Sequence, residues 1–460
     1  MNNQDLIRLG VPQGDAVKLA YEHMRRLFAR GLDREQVEAD IFNIVANPPA
    51  FFADELRAPL ARAIYRPAFT PRAELAPWRQ WGEGLEAEAV KQMANACALP
   101  VAVAGALMPD AHMGYGLPIG GVLATDNAVI PYAVGVDIAC RMKLTVYDRK
   151  ANTLAGQRDR LANLIESETR FGMGCEFKER REHDVMDEDW TVSPVTQRLR
   201  DKAWSQLGTS GSGNHFVEFG AFTVEQNDLG LEPGEYLALL THSGSRGTGA
   251  QVCDFYSKRA MVRHEHLPKE LKHLAWLSLD DADGQEYWAA MNLMGRYAAA
   301  NHALIHHHIG RKLGARRVLD IENHHNFAWK ETHGGREVIV HRKGATPAGA
   351  GVLGIIPGSM ASPGYVVRGK GSPESLNSAS HGAGRVMSRT KAIQSFSWSA
   401  TKKLLAERGV ELLSAGLDEV PGVYKDIHAV MAAQTDLVEV LGQFDPKLVK
   451  MCPAGDRAED

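Results

Sequence analysis

Residues 102–148 read AVAGALMPDAHMGYGLPIGGVLATDNAVIPYAVGVDIACRMKLTVYD. Short apolar runs are interrupted by glycine and proline, a texture that predicts strands joined by tight loops. The polar residues Asp110, His112, Asp137 and Cys140 fall at or near the breaks. Asp137 and Cys140 form a D-x-x-C spacing, so one turn can carry both side chains to a single point. A carboxylate and a thiolate presented together are metal donors.

The pattern continues downstream. LGTSGSGNHFVEFG (207–220) is a glycine–serine turn delivering Asn214 and His215 into a predicted strand, His215–Phe219. Alternation puts Val217 on the face of His215 and Glu218 on the opposite one. YLALLTHSGSRGTG (236–249) is an apolar strand with His242 at its end and another glycine–serine loop. Both loops can present backbone N–H groups as anion-binding nests. A strand over Val318–Glu322 leads into NHHNFAWKE, which supplies His325 and Asn326. One carboxylate, one thiol and three imidazoles (Asp137, Cys140, His215, His242, His325) therefore close strands. Because a thiolate can bridge, these five suffice for two ions. Such donors prefer zinc or copper over manganese, so the residues alone do not name the metal.

Three strand–turn units, VIVHRKGA, GIIPGSM and GYVVRG, then reach SASHGAGRVMSRTKA (378–392). Gly382, Ala383 and Gly384 leave space beside His381 for something large. The spacing predicts a helix here, with Arg385 and Arg389 on one face. A neutral imidazole beside guanidinium groups at a helix N-terminus can attack a phosphate.

Composition bounds the rest. The 460 residues, 44% hydrophobic and 23% charged, fit a globular protein with one large core or two ordinary ones. No apolar run has membrane-spanning length, so no membrane partner is expected. MNNQDLIRLGVPQGD lacks the regions of a secretory leader, and five scattered cysteines favour reduced thiols, so a cytoplasmic location is expected. With a net charge of −4, any nucleic-acid contact must use a local basic patch. Residues 1–70 predict a helical extension, with helices over Asp15–Arg30 and from Asp33, followed by a connector marked by Pro67, Pro71 and Pro77. Residues 151–207 read as helical and charged, with 178–190 a solvated loop without chemistry. A long helix over Gln285–Leu313 buries Trp288, Met291, Tyr297 and Leu304. Its His302, His306, His307 and His308 are assigned to packing or solvent, since consecutive helical residues point in different directions.

The stretches MPDAHMGYGLPIGG, VGVDIAC, GSGNHFVEF, HSGSRGTG, HHNFAWKE, HRKGA, IIPGSM and SHGAGRVMSR together resemble the RtcB RNA-splicing ligases, in order, from about Trp78 to Gly455. The resemblance implies an α+β fold: one catalytic domain (75–460) of mixed strands and helices around a dinuclear manganese centre. It implies GTP-dependent joining of RNA 3′-phosphate or 2′,3′-cyclic phosphate ends to 5′-hydroxyl ends, in RNA repair or tRNA splicing. Broken RNA and an archease-like activator are the implied partners. Carried onto this chain, Cys140 would bridge two Mn²⁺ ions, with Asp137 and His215 on one and His242 and His325 on the other. His381 would become guanylylated. Asn214, Phe216, Glu218, Asn326, Pro357, Gly358, Ser359, Met360 and Arg385 match positions that hold GTP. Arg246, Arg342, Lys343, Arg385 and Arg389 are candidate RNA-phosphate contacts.

The chain departs from the family pattern in four places. Arg141 follows the cysteine where glycine is usual, placing a cation beside the expected metals. Gly364 replaces a serine expected to touch the nucleotide. Ala454-Gly455, followed by DRAED, stands where a guanine-reaching lysine and glycine are expected at the end of the chain. The N-terminal extension is additional. The alternative function is a metal-dependent phosphoesterase that opens cyclic phosphates without ligating.

Overall fold

The computed structural model describes residues 1–12, 14–65 and 69–455. Pro67 of the expected connector and the DRAED tail lie outside the described residues. The chain divides into two compact units, 1–69 and 70–460.

The first unit is helical: Asn3–Arg8, Asp15–Ala29, Arg34–Ala46 and Ala58–Ile64. Asp33 starts the third helix because its side chain accepts from the Gln36 N–H and Gln36 reciprocates, a capping box. Leu6, Leu27, Ile41, Ile44 and Leu60 are buried together as its own core. Inside it, the Asp40 carboxylate sits 2.7 Å from His23 Nε2 and accepts from Arg57 Nε at 2.7 Å.

The second unit is α+β. A five-stranded sheet runs, in spatial order, Trp78–Gln80, Ala102–His112, Ile119–Thr125, Arg336–Lys343 and Asn326–His333. An eight-stranded sheet runs Leu353–Ile356, Gly364–Gly369, Val438–Met451, Phe216–Val224, Gly234–Ser243, Arg141–Lys150 and Arg317–His324, with Glu411–Ser414 also paired to Val438–Met451. The helices Thr153–Glu168 and Ala282–Leu313 cover one face of this sheet, where Phe219, Leu239, Ile305 and Ile309 are buried. Met142, Leu144, Phe222 and Phe444 form a second apolar layer. His325 is the single residue between Arg317–His324, in the large sheet, and Asn326–His333, in the small one. The ends of both sheets thereby meet at one place.

Three local expectations are corrected. No helix begins at His381: the short strand Ser378–Ser380 is followed by a loop, and the helix starts only at Arg389, capped by the Ser388 side chain. Gly384 explains the loop, since its φ is +73° and a Cβ there would collide with the Asp110 carbonyl. His215 precedes the strand Phe216–Val224 instead of opening it, so alternation does not govern it, and His215, Phe216 and Glu218 all line one cavity. Within 178–190, Arg181 is buried and donates to the Gly208 carbonyl at 3.1 Å, and Trp190 is buried as well. That segment is partly a packed strap. No described helix is long and apolar enough to cross a membrane.

Candidate active site

The turn Asp137–Cys140 is closed by a Cys140 N–H bond to the Asp137 carbonyl at 3.2 Å, with Ala139 in the left-handed region at φ +58°. Backbone bonds from Ala139 N–H to Asn326 O (2.7 Å) and from His325 N–H to Cys140 O (3.0 Å) clamp this turn to the His325 corner. His242 enters from the neighbouring strand, paired opposite Met142 and Phe216. Sheet register thus brings together groups that lie up to 188 residues apart in sequence, from Asp137 to His325.

The five candidate ligands converge as two buried triads that share Cys140: Asp137, Cys140, His215 and Cys140, His242, His325. Cys140 Sγ lies 3.4 Å from His215 Nε2 and 3.0 Å from His242 Nε2. His215 Nε2 is 3.0 Å from Asp137 Oδ2, and the Nε2 atoms of His242 and His325 are 3.2 Å apart. Donors bound at about 2.1 Å around one tetrahedral ion stand about 3.4 Å apart, so these spacings fit metal coordination. Burial pushes His242 down to about 3 and His325 well below the usual imidazole range, leaving both neutral with lone pairs to donate. Burial opposes the charge of Asp137, but its bond to His215 and the positive neighbours hold it well below the usual carboxylate range. The His242 ring is oriented from behind by the Asn214 carbonyl, 3.1 Å from its Nδ1, while Arg246 Nη2 lies 2.9 Å from His215 Nδ1.

A cavity of about 540 Å³ opens over this cluster. Its lining contains all five candidate ligands, His381, and every residue singled out for the nucleotide: Asn214, Phe216, Glu218, Asn326, Pro357–Met360 and Arg385. That volume suits a nucleotide-sized ligand. The His381 ring is centred 5.0 Å from the His325 ring. Its Nδ1 lies 2.7 Å from the Asp110 carboxylate, which also accepts from the His381 and Gly382 N–H groups. Burial opposes the charge on Asp110, but the His381 ring holds it below the ordinary carboxylate value. Burial alone pushes Glu218 up to about 8. Lys343, also in the wall, donates to the Tyr115 carbonyl at 2.6 Å, and burial brings it down to about 8.

Several sequence readings are revised here. Arg246 and Arg342 are fully buried; the first braces His215, and the second is bound to Glu331 and Ser378. Neither is available to RNA. Arg141 points away from the ligand cluster into a pair with Glu322 and a bond to the Gly295 carbonyl, so it adds no cation beside the site. Gly364 lines the cavity, whereas Ala454 is exposed just beyond the strand Val438–Met451. His302 and His306 are buried in the long helix, each 2.9 Å from the Thr241 hydroxyl, which agrees with a packing role. Sequence reasoning named Asp110 without a role and missed Glu419, Tyr424 and Lys425 altogether. The D-x-H spacing on a strand facing the SHGAG loop was the available signal for Asp110.

An α+β scaffold with a buried Asp/Cys/His ligand cluster under a nucleotide-sized cavity defines the class. Comparison with known proteins specifies it. A family profile described as tRNA-splicing ligase RtcB matches residues 92–193 and 179–451. The RNA-splicing ligase RtcB of Escherichia coli is 35% identical over 409 residues, covering 80% of this chain and 95% of that protein. The tRNA-splicing ligase RtcB of Methanococcus maripaludis is 31% identical, covering 81% and 92%. The RNA-splicing ligase RtcB of Mycobacterium tuberculosis is 32% identical, covering 77% and 98%. The chain belongs to the RtcB family. The helical unit 1–69 lies outside the profile match.

Proposed function

We propose that this protein is an RNA ligase that consumes GTP, uses two Mn²⁺ ions and joins 3′-phosphate or 2′,3′-cyclic phosphate ends to 5′-hydroxyl ends through a guanylylated His381. The observation that carries this reading is the convergence of His381, the five ligand side chains and the candidate nucleotide residues on one cavity. Asp137, Cys140, His215, His242 and His325 would hold the ions, with Cys140 shared. Bound there, divalent cations would supply charge neutralisation for an anionic nucleophile–phosphate encounter.

The chain's own residues account for the remainder. Asp110 accepts the Nδ1 proton of His381, which leaves the Nε2 lone pair to attack the α-phosphorus of GTP as pyrophosphate departs. Small neighbours at Gly382 to Gly384 give that phosphorus access. A 2′,3′-cyclic end is first opened by water to a 3′-phosphate and a free 2′-hydroxyl; the Nε2–P bond then breaks as an oxygen of the RNA 3′-phosphate takes the GMP. The 5′-hydroxyl attacks the activated phosphate, and GMP leaves. Arg385 and Arg389 on the cavity wall suit the RNA phosphate. The reading puts the protein in RNA repair or tRNA splicing, with an archease-like protein as an activator to be tested by addition.

The test is incubation with Mn²⁺ and α-labelled GTP, followed by analysis of the protein and of an added RNA pair. The reading expects an acid-labile, alkali-stable protein adduct and a joined product. Opening of a cyclic phosphate without adduct or joining would assign the phosphoesterase activity instead.

A further inference from the structure

We propose that Glu419 is a positioning residue that holds Arg385 and Arg389 as one fixed fork for the terminal phosphate of the RNA; this rests on the ligase reading. The Glu419 carboxylate is 2% exposed, yet it lies in the cavity wall. It accepts from Arg385 Nη1 at 3.3 Å, from Arg389 Nη1, and from the Tyr424 hydroxyl. Asp418 completes the arrangement: its carbonyl accepts from Arg385 Nη2 at 2.8 Å and its carboxylate from Arg389 Nη1 at 2.7 Å. The Arg385 guanidinium also stands over the Tyr424 ring, 5.6 Å from its centroid.

A carboxylate this deeply buried is costly unless cations and donors satisfy it. Here it meets two guanidinium groups and a phenol. Without it, two like charges would repel each other, and Arg385 would keep only neutral partners, the carbonyls of Asp418 and Met387 and the Tyr424 ring. With it, both planes are set before substrate arrives, so ordering them is not charged against binding.

The same segment reaches the nucleophile. Val386 N–H bonds Val423 O at 2.9 Å, and Lys425 N–H bonds Gly384 O at 2.9 Å, so residues 423–425 run against the loop that follows His381. Lys425 Nζ donates to the carbonyls of Pro109 (3.0 Å) and Ala111 (2.8 Å), on either side of Asp110. One short segment therefore ties the arginine fork to the backbone that orients His381. The fork is thereby held at a fixed place relative to His381, where an RNA phosphate seated on it would meet the GMP carried by the ring.

The test compares two rates in the full-length protein loaded with Mn²⁺: adduct formation from GTP, and transfer of GMP from the adduct to a 3′-phosphate RNA. Glu419→Gln keeps the shape and removes the charge. Transfer is expected to slow about tenfold more than adduct formation, with a raised KM for RNA, and Glu419→Asp is expected to recover part of the loss. In a cycle with the double variant Arg385→Ala/Arg389→Ala, adding Glu419→Gln should cost no more than about twofold further, because Glu419 acts through those two side chains. If Glu419→Gln proves too unstable to purify, Tyr424→Phe carries the test, with a smaller loss confined to transfer. Equal losses in both rates, or losses that multiply through the cycle, would overturn the inference and leave the ligase reading standing. A wild-type protein that forms no adduct would overturn both.

Discussion

His381 Nδ1 lies 2.7 Å from the carboxylate of Asp110, a residue fully withdrawn from solvent. The contact selects the tautomer with its proton on Nδ1 and its lone pair on Nε2, the arrangement an attacking imidazole needs. Two backbone N–H groups, of His381 and Gly382, hold the same oxygen in place. Asp110→Asn can still present an oxygen to these N–H groups but removes the negative charge that polarises the ring. Adduct formation is expected to fall about a hundredfold. Metal content, measured by elemental analysis, should be unchanged, because Asp110 belongs to neither ligand triad.

Cys140 is the one residue common to both triads. Its removal should therefore cost both ions rather than one. Cys140→Ala is predicted to bind no Mn²⁺ at concentrations that saturate the wild type; a variant that retains full stoichiometry would exclude a bridging thiolate. Thiolate and imidazole donors rank zinc above manganese, so Zn²⁺ should displace Mn²⁺ in competition.

Glu218 supplies a pH signature. Burial raises its carboxyl to about 8, so it is protonated below that pH. The edge of guanine presents N–H donors, which favour the carboxylate. Binding GTP should then release a proton below about pH 8, and affinity should rise with pH before levelling off above it. Calorimetry across this range checks the sign, and Glu218→Gln should flatten the profile. Affinity that weakens as pH rises would put Glu218 beside phosphate instead.

Arg141 gives a prediction about stability. It is buried and paired with Glu322, which also accepts from Lys143 at 3.0 Å. Arg141→Gly should destabilise the fold by about 1–3 kcal/mol, because Lys143 remains to share the carboxylate. Thermal unfolding measures the loss. Metal stoichiometry should persist, since the guanidinium faces the long helix and not the ligands.

What the sequence made legible was the set of polar residues at strand ends. Asp137 and Cys140 share one turn, and a turn can be read locally. The histidines could be collected because each closes an apolar run. Burial could not be read this way: Arg246 and Arg342 looked like phosphate contacts until the fold enclosed them behind His215 and against Glu331. The helix expected at His381 failed because Gly384 needs a positive φ to pass the Asp110 carbonyl, a contact made across 274 residues. Glu419, Tyr424 and Lys425 lie in short turns with no periodicity, and most of their partners lie far away in the chain, so nothing local marked them.

The assignment of His381 as the guanylyl acceptor is the prediction on which the ligase reading depends. Its ring is a neighbour of His325 but not a member of either triad, so nucleophile and ligands can be separated by mutation. His381→Ala should eliminate the adduct while both ions remain bound. Its adduct in the wild type should be a phosphoramidate, labile in acid and stable in alkali, unlike a serine ester. The decisive measurement supplies RNA whose 3′ end already carries GMP. Joining of that substrate to a 5′-hydroxyl end needs no nitrogen nucleophile, so His381→Ala should perform it while failing with GTP and plain 3′-phosphate RNA. Cys140→Ala should fail with both substrates. If His381→Ala still forms the GMP adduct, the nucleophile is another residue, and the geometry around Asp110 serves some other step.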